Sequence, residues 1–475
     1  MNAQVQEVMQ GRPHEVLYSR ESGGPRVEIL GPYVERADEV LTPLALRLLA
    51  SLHGRFNQRR LDLLDARARR QREFDAGVMP GFLTPTTGIR AGDWRAPPVP
   101  HDLRDQRLVI SGPVDPKSVI NALNTPVRAF AADFEDSCAP TWSNLVGGQV
   151  NLADAVRRKL TFADSTTGKV YRMRDQTATV VVRPRGWHLP EKHVRIDGAA
   201  VSATLFDFAL YIAGNHEVLR QRGSGPYFYL PKLESHFEAR LWNDVFLATQ
   251  EALDLPRGTI KAIVLIETIP AAFAMDEIVH ELGEHVAGLN FGRWDHSFSF
   301  IKTLRERAEF VLPDRAATDF QRRTLDLLAQ TSRRRFGNSG EIDWLPLLGK
   351  PEGQCTEAGM RNAIRVAVLY LESWLRGSGC VSVDGVVEDT ASAEICRAQL
   401  WQWLRHGVRT SDGRAVTAER FDRLLMEELD RIHHEVGFSR LSGGVFPTAT
   451  RLLERMTKQD TLDEFMTLPA YELLS

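Results

Sequence analysis

Three carboxylates follow an apolar run in the segment AADFEDSCAPTW, residues 131–142, which places Asp133, Glu135 and Asp136 close together. Charged side chains are rarely buried without a partner. These three therefore either lie at the solvated end of a strand or face a cation. Other apolar runs end in charged residues in the same way: Arg183 and Arg185 after TATVVV, Lys232 and Glu234 in YFYLPKLE, Glu267 after IKAIVLI, and Asp295 after HVAGLNFGRW.

The residue types at these positions suit proton abstraction next to a carbonyl group. Glu267 and Asp295 offer hard oxygen ligands, and Mg²⁺ typically takes one or two protein carboxylates and fills its octahedron with water and substrate oxygens. Asp133 and Glu135 lie two positions apart and so face the same side of a strand, where they can hold metal-bound water. Arg183 supplies a planar cation for a carboxylate or an enolate. Hydride transfer has no support, because the chain contains neither a Gly-rich dinucleotide fingerprint nor a P-loop.

These charged residues meet if the central part of the chain forms a parallel α/β barrel. From about residue 107, short apolar or β-branched runs alternate with amphipathic stretches, which predicts parallel α/β structure. In such a barrel the C-terminal strand ends converge on one face, where active sites lie. Helical periodicity covers residues 36–76 and most of the chain from 355 onward, and a Pro-rich connector spans 96–105. The predicted units are therefore 1–95, 96–354 and 355–475.

Composition and charge narrow the class of protein. The formal net charge of −3 gives no indication of nucleic acid or of an anionic membrane surface as a partner. The first residues lack a basic segment followed by an apolar one, and no apolar run approaches the length that spans a bilayer. The four cysteines include no C-x-x-C pair, and such sparse use fits a reducing compartment. We expect a cytoplasmic enzyme.

Long ordered motifs resemble malate synthase of the A isoform, from about residue 40 to 310 and again from about 355 to 455. They include AADFEDSCAPTWSNLVGGQVNL, VVVRPRGWHLPEKHV, YLPKLESHFEARLWNDVF, IVLIETIPAAFAMDEIVHEL, GLNFGRWDHSFSFIK and VVEDTASAEICRAQLWQWLRHG. The resemblance implies an α/β fold, namely a TIM-type (β/α)8 barrel with an N-terminal helical clasp and a C-terminal helical plug domain. It also implies an acyltransferase that condenses acetyl-CoA with glyoxylate and hydrolyses the product to malate and CoA, with Mg²⁺ as cofactor.

The same resemblance implies roles for two groups that would handle the substrates. Asp389, in VVEDTASAE, matches the carboxylate that removes the methyl proton of the acetyl group. The residues alone favour another interpretation, because Asp is a preferred N-cap and a helical pattern follows it. Arg183 matches the arginine that stabilises the enolate, with Arg185 as a close rival at the substrate. Backbone amides around Gly292 and Trp294 would hold the glyoxylate carboxylate.

For the metal, the resemblance implies Glu267 and Asp295 as direct ligands. Asp133 and Glu135 would orient metal-bound water, while Asp136 is expected to serve structure.

Residues 310–355 depart from the family pattern. The family carries a Gly-Gly-Met strand segment and a Trp-Val-Ala-His-Pro strand segment there, which supply the last two barrel strands and part of the acyl-CoA pocket. This chain has a shorter passage with three consecutive arginines in TSRRRFG, which would either meet phosphates or end a solvated helix. Two alternatives to an ordinary malate synthase therefore stay open. One acts on another acyl thioester, bound to CoA or to an acyl carrier protein, or on another 2-oxo acid; the other is a non-catalytic binding protein on the same fold.

Overall fold

The computed structural model describes residues 24–105, 108–317, 321–337, 347–437 and 444–474, and the backbone of residues 16–18. The N-terminal unit contains one long helix, α1, which begins where Thr42 accepts a hydrogen bond from the Ala45 N–H and Pro43 occupies the first turn. The sequence predicted a helix over 36–76, and α1 confirms it over a slightly shorter span. The elements of this unit are β1 (Val16–Tyr18), β2 (Val27–Ile29), α1 (Pro43–Asp75) and α2 (Thr87–Ala91).

Six parallel strands form the central sheet. They pair in the order β12-β11-β10-β7-β4-β3, so β3 and β12 are its edges and the sheet curls into a half-barrel. Their sequences are nearly continuous apolar runs, as expected for strands covered on both faces. The strands are β3 (Val109–Gly112), β4 (Ala129–Asp133), β7 (Thr179–Arg183), β10 (Tyr227–Leu230), β11 (Lys261–Ile266) and β12 (Val286–Phe291).

Helices and two smaller sheets complete this unit. Strands β8 (Pro190–Ile196) and β9 (Ala199–Ser202) extend the β1-β2 pair into an antiparallel sheet, while β5 (Thr161–Ala163) and β6 (Val170–Arg172) form a hairpin. Helix α1 packs against α5 and α6, which fastens the N-terminal unit to the barrel. The helices are α3 (Pro116–Asn124), α4 (Trp142–Val156), α5 (Ala203–Gln221), α6 (His236–Ala252), α7 (Ile269–Ala272), α8 (Met275–Leu282), α9 (Arg293–Thr303) and α10 (Arg322–Phe336).

The region that departs from the family pattern contains a helix. Between Phe291 and Val381 the described residues form helices and turns and contribute no strand, so the described barrel has six strands where the sequence led us to expect eight. Helix α10 packs beside the edge strand β12. Its Arg335 is fully buried, pairs with Asp276 and donates hydrogen bonds to backbone carbonyls of residues 89–94. Arg335 therefore fastens the end of the N-terminal unit to the barrel, which is neither of the two roles that the sequence suggested for the arginines.

The C-terminal unit is a helical bundle with its own apolar core. A two-stranded hairpin precedes its second helix and turns through Asp384 and Gly385, which both have positive φ as a two-residue Asp-Gly turn requires. The hairpin delivers Asp389 to the start of that helix, which packs against α9 of the barrel. The elements are α11 (Glu357–Leu375), β13 (Val381–Val383), β14 (Val386–Glu388), α12 (Thr390–Arg405), α13 (Ala418–Val436), α14 (Phe446–Lys458) and α15 (Thr467–Tyr471).

Candidate active site

Three carboxylates from different elements meet at the C-terminal ends of the barrel strands. Asp136 follows β4, Glu267 follows β11, and Asp295 lies in the first turn of α9, after β12. One oxygen of each lies within 4.8 Å of the others, and all three side chains are buried. Parallel strands place their carboxyl ends at one rim, so residues far apart in sequence form one cluster.

The cluster fits a hard divalent cation. Carboxylate oxygens are the ligands that Mg²⁺ prefers. Burial and the negative charge of Asp136 raise the pKa of Asp295 well above its ordinary value. Asp136 Oδ2 and Asp295 Oδ1 are buried without a hydrogen bond of good geometry in the described structure, although each lies next to a cation. A dication would relieve the crowding of these negative charges.

Asp133 organises the loop that carries Asp136, and Asp136 itself joins the carboxylate cluster. Asp133 Oδ1 accepts hydrogen bonds from the backbone N–H groups of Glu135 (2.9 Å) and Asp136 (3.0 Å), and its Oδ2 accepts from Ser111 and Ser137, 3.1 Å each. Asp133 thus shapes the loop, and Asp136, which we expected to serve structure, joins Glu267 and Asp295. An Asp that can bond the backbone two residues further on is a typical turn signal, and it was present in the sequence.

Glu135 lies on the other side of the same loop. Its carboxylate accepts a hydrogen bond from the Gly186 N–H at 2.5 Å and lies 3.4 Å from Lys232 Nζ. Burial raises the pKa of Glu135 to about 7, although the positive charge of Lys232 opposes the shift. Glu135 is therefore connected to the cluster by Lys232, which contacts Glu135 as well as Asp136 and Asp295.

Arg183 and Arg185 occupy different environments. Arg183 Nη2 lies 2.5 Å from Asp136, 3.2 Å from Glu267 and 3.6 Å from Asp295, so its guanidinium faces the cluster. Arg185 is 1% exposed and forms ion pairs of 2.8 Å with Asp207 and with Glu191. The structure thus brings Arg183 to the carboxylates and places Arg185 in a separate buried ion-pair network.

Lys232 is a second cation of the site, and its sequence context alone predicts no role for it. Its ammonium lies 2.8 Å from Asp136 and 3.1 Å from Asp295, and its backbone N–H donates to Glu267 Oε1 at 2.7 Å. Burial opposes its charge, but the surrounding carboxylates raise the pKa of Lys232 well above its ordinary value. Its position after a strand, in the run YFYLPK, is the signal that could have identified it.

Asp389 belongs to the C-terminal unit and lies next to the barrel loop that carries Asp136. It caps α12, where its side chain accepts from the Ser392 N–H at 3.0 Å and the Ser392 hydroxyl accepts from the Asp389 N–H at 2.9 Å. The next residue, Thr390, donates its N–H and its hydroxyl to the Asp136 carbonyl. Burial and the charge of Asp136 raise the pKa of Asp389 to about 6. Asp389 is therefore both a helix cap and a more basic carboxylate than usual near the site.

Gly292 and Trp294 lie at the start of α9. Gly292 is the N-cap residue, and no side chain of the described residues caps this helix, so its first N–H groups face outward along the axis. A Cβ at Gly292 would lie 2.4 Å from Glu267 Oε2, which explains the glycine by close packing. The guanidinium groups of Arg293 and Arg315 both lie over the Trp294 ring, 4.3 and 5.1 Å from its centre. The helix start is thus adjacent to the carboxylate cluster and suited to an anion.

A cavity of about 390 Å³ lies behind the loop that carries Asp136. It is bounded on one side by the barrel and on the other by the segment that precedes β13. The Cys138 and Cys380 side chains both border it, and burial raises the pKa of each thiol above its ordinary value. The residues around it are Pro113, Val114, Asp115, Pro116, Ser137, Cys138, Ser143, Asn144, Gly147, Gly148, Asn151, Gly377, Ser378, Gly379 and Cys380.

Fold and site together define a β/α-barrel protein with a buried, carboxylate-lined cation site at the C-terminal strand ends. Three family models match the chain: the malate synthase N-terminal domain over residues 26–88, the malate synthase TIM barrel domain over 179–335, and the malate synthase C-terminal domain over 354–474. The chain is also similar to malate synthase of Myxococcus xanthus, with 42% identity over 95% of this chain and 97% of the relative.

Two further malate synthases are similar to this chain over nearly its whole length. Malate synthase A of Escherichia coli is 40% identical over 94% of this chain and 97% of its own length, and malate synthase of Streptomyces clavuligerus is 41% identical over 94% and 98%. The chain belongs to the malate synthase family, so it is an acyltransferase on a TIM-barrel fold. The resemblance seen in the motifs is confirmed.

The relatives also carry residues that this chain lacks. The alignment with the Myxococcus protein extends over 525 positions, whereas the chain has 475 residues. This agrees with a shortened passage after the sixth barrel strand, where the described structure has α10 and no strand.

Proposed function

We propose that this chain is a Mg²⁺-dependent malate synthase, which condenses acetyl-CoA with glyoxylate and hydrolyses the resulting thioester to malate and CoA. The observation that carries the proposal is the cluster of Asp136, Glu267 and Asp295, with Arg183 beside it and Asp389 next to the loop that bears Asp136. Family membership supports the same activity. A binding protein without turnover would not need a carboxylate of raised pKa next to this cluster.

Glu267, Asp295 and Asp136 would hold Mg²⁺. When bound, Mg²⁺ supplies a Lewis acid that polarises the aldehyde oxygen of glyoxylate. The free N–H groups at the start of α9, around Gly292 and Trp294, suit the glyoxylate carboxylate because a helix N-terminus attracts anions. The guanidinium of Arg183, which faces the same carboxylates, would lie next to the aldehyde of glyoxylate.

Asp389 would remove a proton from the methyl group of the acetyl thioester. Its raised pKa, about 6, makes it a stronger base than an ordinary Asp while leaving it mostly ionised at neutral pH. Arg183 would stabilise the enolate oxygen that forms, because its charge is permanent and it already faces the site. The enolate carbon then attacks the aldehyde carbon of glyoxylate, and water later cleaves the thioester bond to release CoA.

Asp133 and Glu135 would act around the metal and not on it directly. Asp133 holds the loop that presents Asp136, through its hydrogen bonds to two backbone N–H groups. Glu135 lies close enough to Lys232 to orient water in the same region. Asp133 and Glu135 would thus lie outside the ligand set, and Asp136 would join Glu267 and Asp295 within it.

The acyl donor would enter the cavity between the Asp136 loop and the segment before β13. Its volume of about 390 Å³ is within the range of small-molecule sites. An acyl carrier protein as donor stays a prediction, as does a cytoplasmic location. None of the described helices combines the length and apolar character that crossing a bilayer demands.

Thiol release tests the proposed function. The purified protein is incubated with acetyl-CoA, with or without glyoxylate and Mg²⁺, and free CoA and malate are measured. We expect CoA and malate in equal amounts only when all components are present, and none with Glu267→Gln. CoA release that does not require glyoxylate would contradict the proposal. Acetylated acyl carrier protein, used in place of acetyl-CoA, shows which donor the shortened wall accepts.

A further inference from the structure

Lys232 has a backbone conformation that lysine rarely adopts. Its φ is +51°, in the left-handed region, and it is 2% exposed. A residue with a Cβ is disfavoured there, and glycine would occupy the position without strain. Strained residues that persist in a buried site are often kept for function. The lysine side chain should therefore make contacts that a glycine at this position could not make.

The left-handed turn lets one residue contact the cluster twice. The backbone N–H of Lys232 holds Glu267 at 2.7 Å, while its ammonium returns to Asp136 at 2.8 Å and Asp295 at 3.1 Å. The ammonium also lies 3.4 Å from Glu135. Glycine would keep the first contact and lose the others. The side chain therefore adds a positive charge to two of the three carboxylates that would hold Mg²⁺.

Helix α1 holds this turn from behind. Arg67 donates to the Lys232 carbonyl at 2.8 Å, and its guanidinium forms hydrogen bonds of 2.8 and 2.6 Å with the Glu238 carboxylate. Arg67 and Glu238 are both buried. A pair of this kind keeps a fixed geometry. Arg67 thus fixes the backbone turn, while burial and the ion pairs with Asp136 and Asp295 fix the position of the Lys232 ammonium.

We propose that Lys232 is a fixed counter-charge that weakens the hold of the site on Mg²⁺ and makes the loaded site less repulsive to an anionic substrate. The inference rests on the proposed function and concerns the same site. Within the described part of the chain, the ion pairs of five carboxylates converge on two permanent cations, Arg183 and Lys232. The carboxylates are those of Asp133, Glu135, Asp136, Glu267 and Asp295.

The direction of the effect follows from Coulomb's law. Without the ammonium the cluster attracts a dication more strongly, because a positive charge beside two of its ligands has been removed. The loaded site is then one charge more negative, so glyoxylate, an anion, binds less well. Lys232 would therefore be a positioning and charge-tuning residue, while the metal ligands and Asp389 perform binding and chemistry.

Calorimetric titration of Mg²⁺ into the metal-free, full-length protein tests this without measuring turnover. Lys232→Met removes the charge and keeps the side-chain length, Lys232→Gly removes the charge and relieves the backbone, and Lys232→Arg keeps the charge. We expect Mg²⁺ to bind about tenfold tighter to the Met and Gly variants and within about threefold of wild type to the Arg variant. Glyoxylate should bind the Mg²⁺-loaded Met and Gly variants more weakly than it binds wild type.

Equal or weaker Mg²⁺ binding by both charge-removing variants would overturn the inference, because a merely structural lysine predicts that result. Thermal unfolding provides the second measurement. Saturating Mg²⁺ should raise the Tm of Lys232→Met more than it raises that of wild type, since the variant lacks the internal cation. If the wild-type protein fails to bind Mg²⁺, the proposed function and this inference both fail. If wild type binds Mg²⁺ and makes malate while the variants bind Mg²⁺ as it does, only the inference fails.

Discussion

Replacing Asp389 by Asn separates its two roles. Asn is as good an N-cap as Asp, so the hydrogen bond from the Ser392 N–H and the reciprocal bond to the Ser392 hydroxyl should both remain. The amide cannot accept the methyl proton. A positioned general base contributes about 10²–10⁴ to a rate. We therefore expect malate formation to fall by at least about a hundredfold, with the fold retained.

The same substitution should stabilise the protein at neutral pH. Burial and Asp136 raise the folded-state pKa of Asp389 from 3.8 to about 6, so folding favours the protonated carboxyl. The contribution of Asp389 is fully present below its unfolded pKa and is lost as the pH rises through 6. The whole shift corresponds to about 3 kcal/mol, which solvent screening of a half-buried group reduces to ~1–2 kcal/mol. Asn carries no charge to bury, so its advantage should grow as the pH rises from about 4 to 6 and be complete above pH 6.

Thermal unfolding in EDTA and a CoA-release assay together measure both effects. We expect Asp389→Asn to unfold about 2 °C higher than wild type at pH 7.5 and at the same temperature near pH 4. Asp389→Ala serves as the control, since it loses the cap and should be less stable than the Asn variant by about 1 kcal/mol. In wild type, turnover should fall as the pH drops through about 6, because the base becomes protonated. Normal turnover by a folded Asn variant would refute the assignment of Asp389 as the base and leave it as a cap alone.

Three further predictions concern the surroundings of the site. Gly292→Ala places a Cβ about 2.4 Å from Glu267 Oε2, so calorimetry should show Mg²⁺ bound at least about tenfold more weakly by a protein whose circular dichroism is unchanged. Arg185→Met removes the guanidinium that pairs with the buried Asp207 and Glu191, and denaturant unfolding should show a loss of ~3–5 kcal/mol; an unaffected transition would exclude a structural role. The sequence predicts a shortened acyl-CoA wall at residues 310–355, so acetyl-CoA should titrate with lower affinity than it does with the Myxococcus relative, while glyoxylate and Mg²⁺ binding persist; tight acetyl-CoA binding would contradict this.

Several features of the fold and site could be predicted from the sequence because they depend on local or repeating patterns. Apolar runs that alternate with amphipathic stretches predicted the parallel sheet, and the charged residue after each run predicted that Arg183, Glu267 and Asp295 would meet at one rim. These predictions were possible because parallel strands place their last residues at the same rim of a barrel, and the pleat determines which face each side chain occupies. The Asp-Gly turn of the hairpin before Asp389 is local in the same sense.

Which of two neighbouring residues of the same type faces the site depended on the tertiary structure. Asp133 and Asp136 have the same chemistry, and only the hydrogen bonds of the folded loop decide which one faces the cluster. Arg183 is the last residue of its strand, so strand periodicity determines the direction of its side chain. Arg185 follows Pro184, outside the strand, where this periodicity no longer applies. Its side chain pairs instead with Asp207 from a helix that lies later in the chain.

The burial of two charged residues could not be predicted from the sequence. Lys232 and Arg335 appeared in the sequence as an ordinary strand-end charge and part of a basic run, yet both are buried. A charge can be buried only where partners compensate it, and those partners come from elements far away in the chain: Asp136 and Asp295 for Lys232, and Asp276 with backbone carbonyls for Arg335. The sequence by itself therefore determined which elements form and which strand ends carry charge. Which of those charges reach the site was decided by tertiary contacts, because the free energy of a buried charge depends on neighbours that no local pattern records.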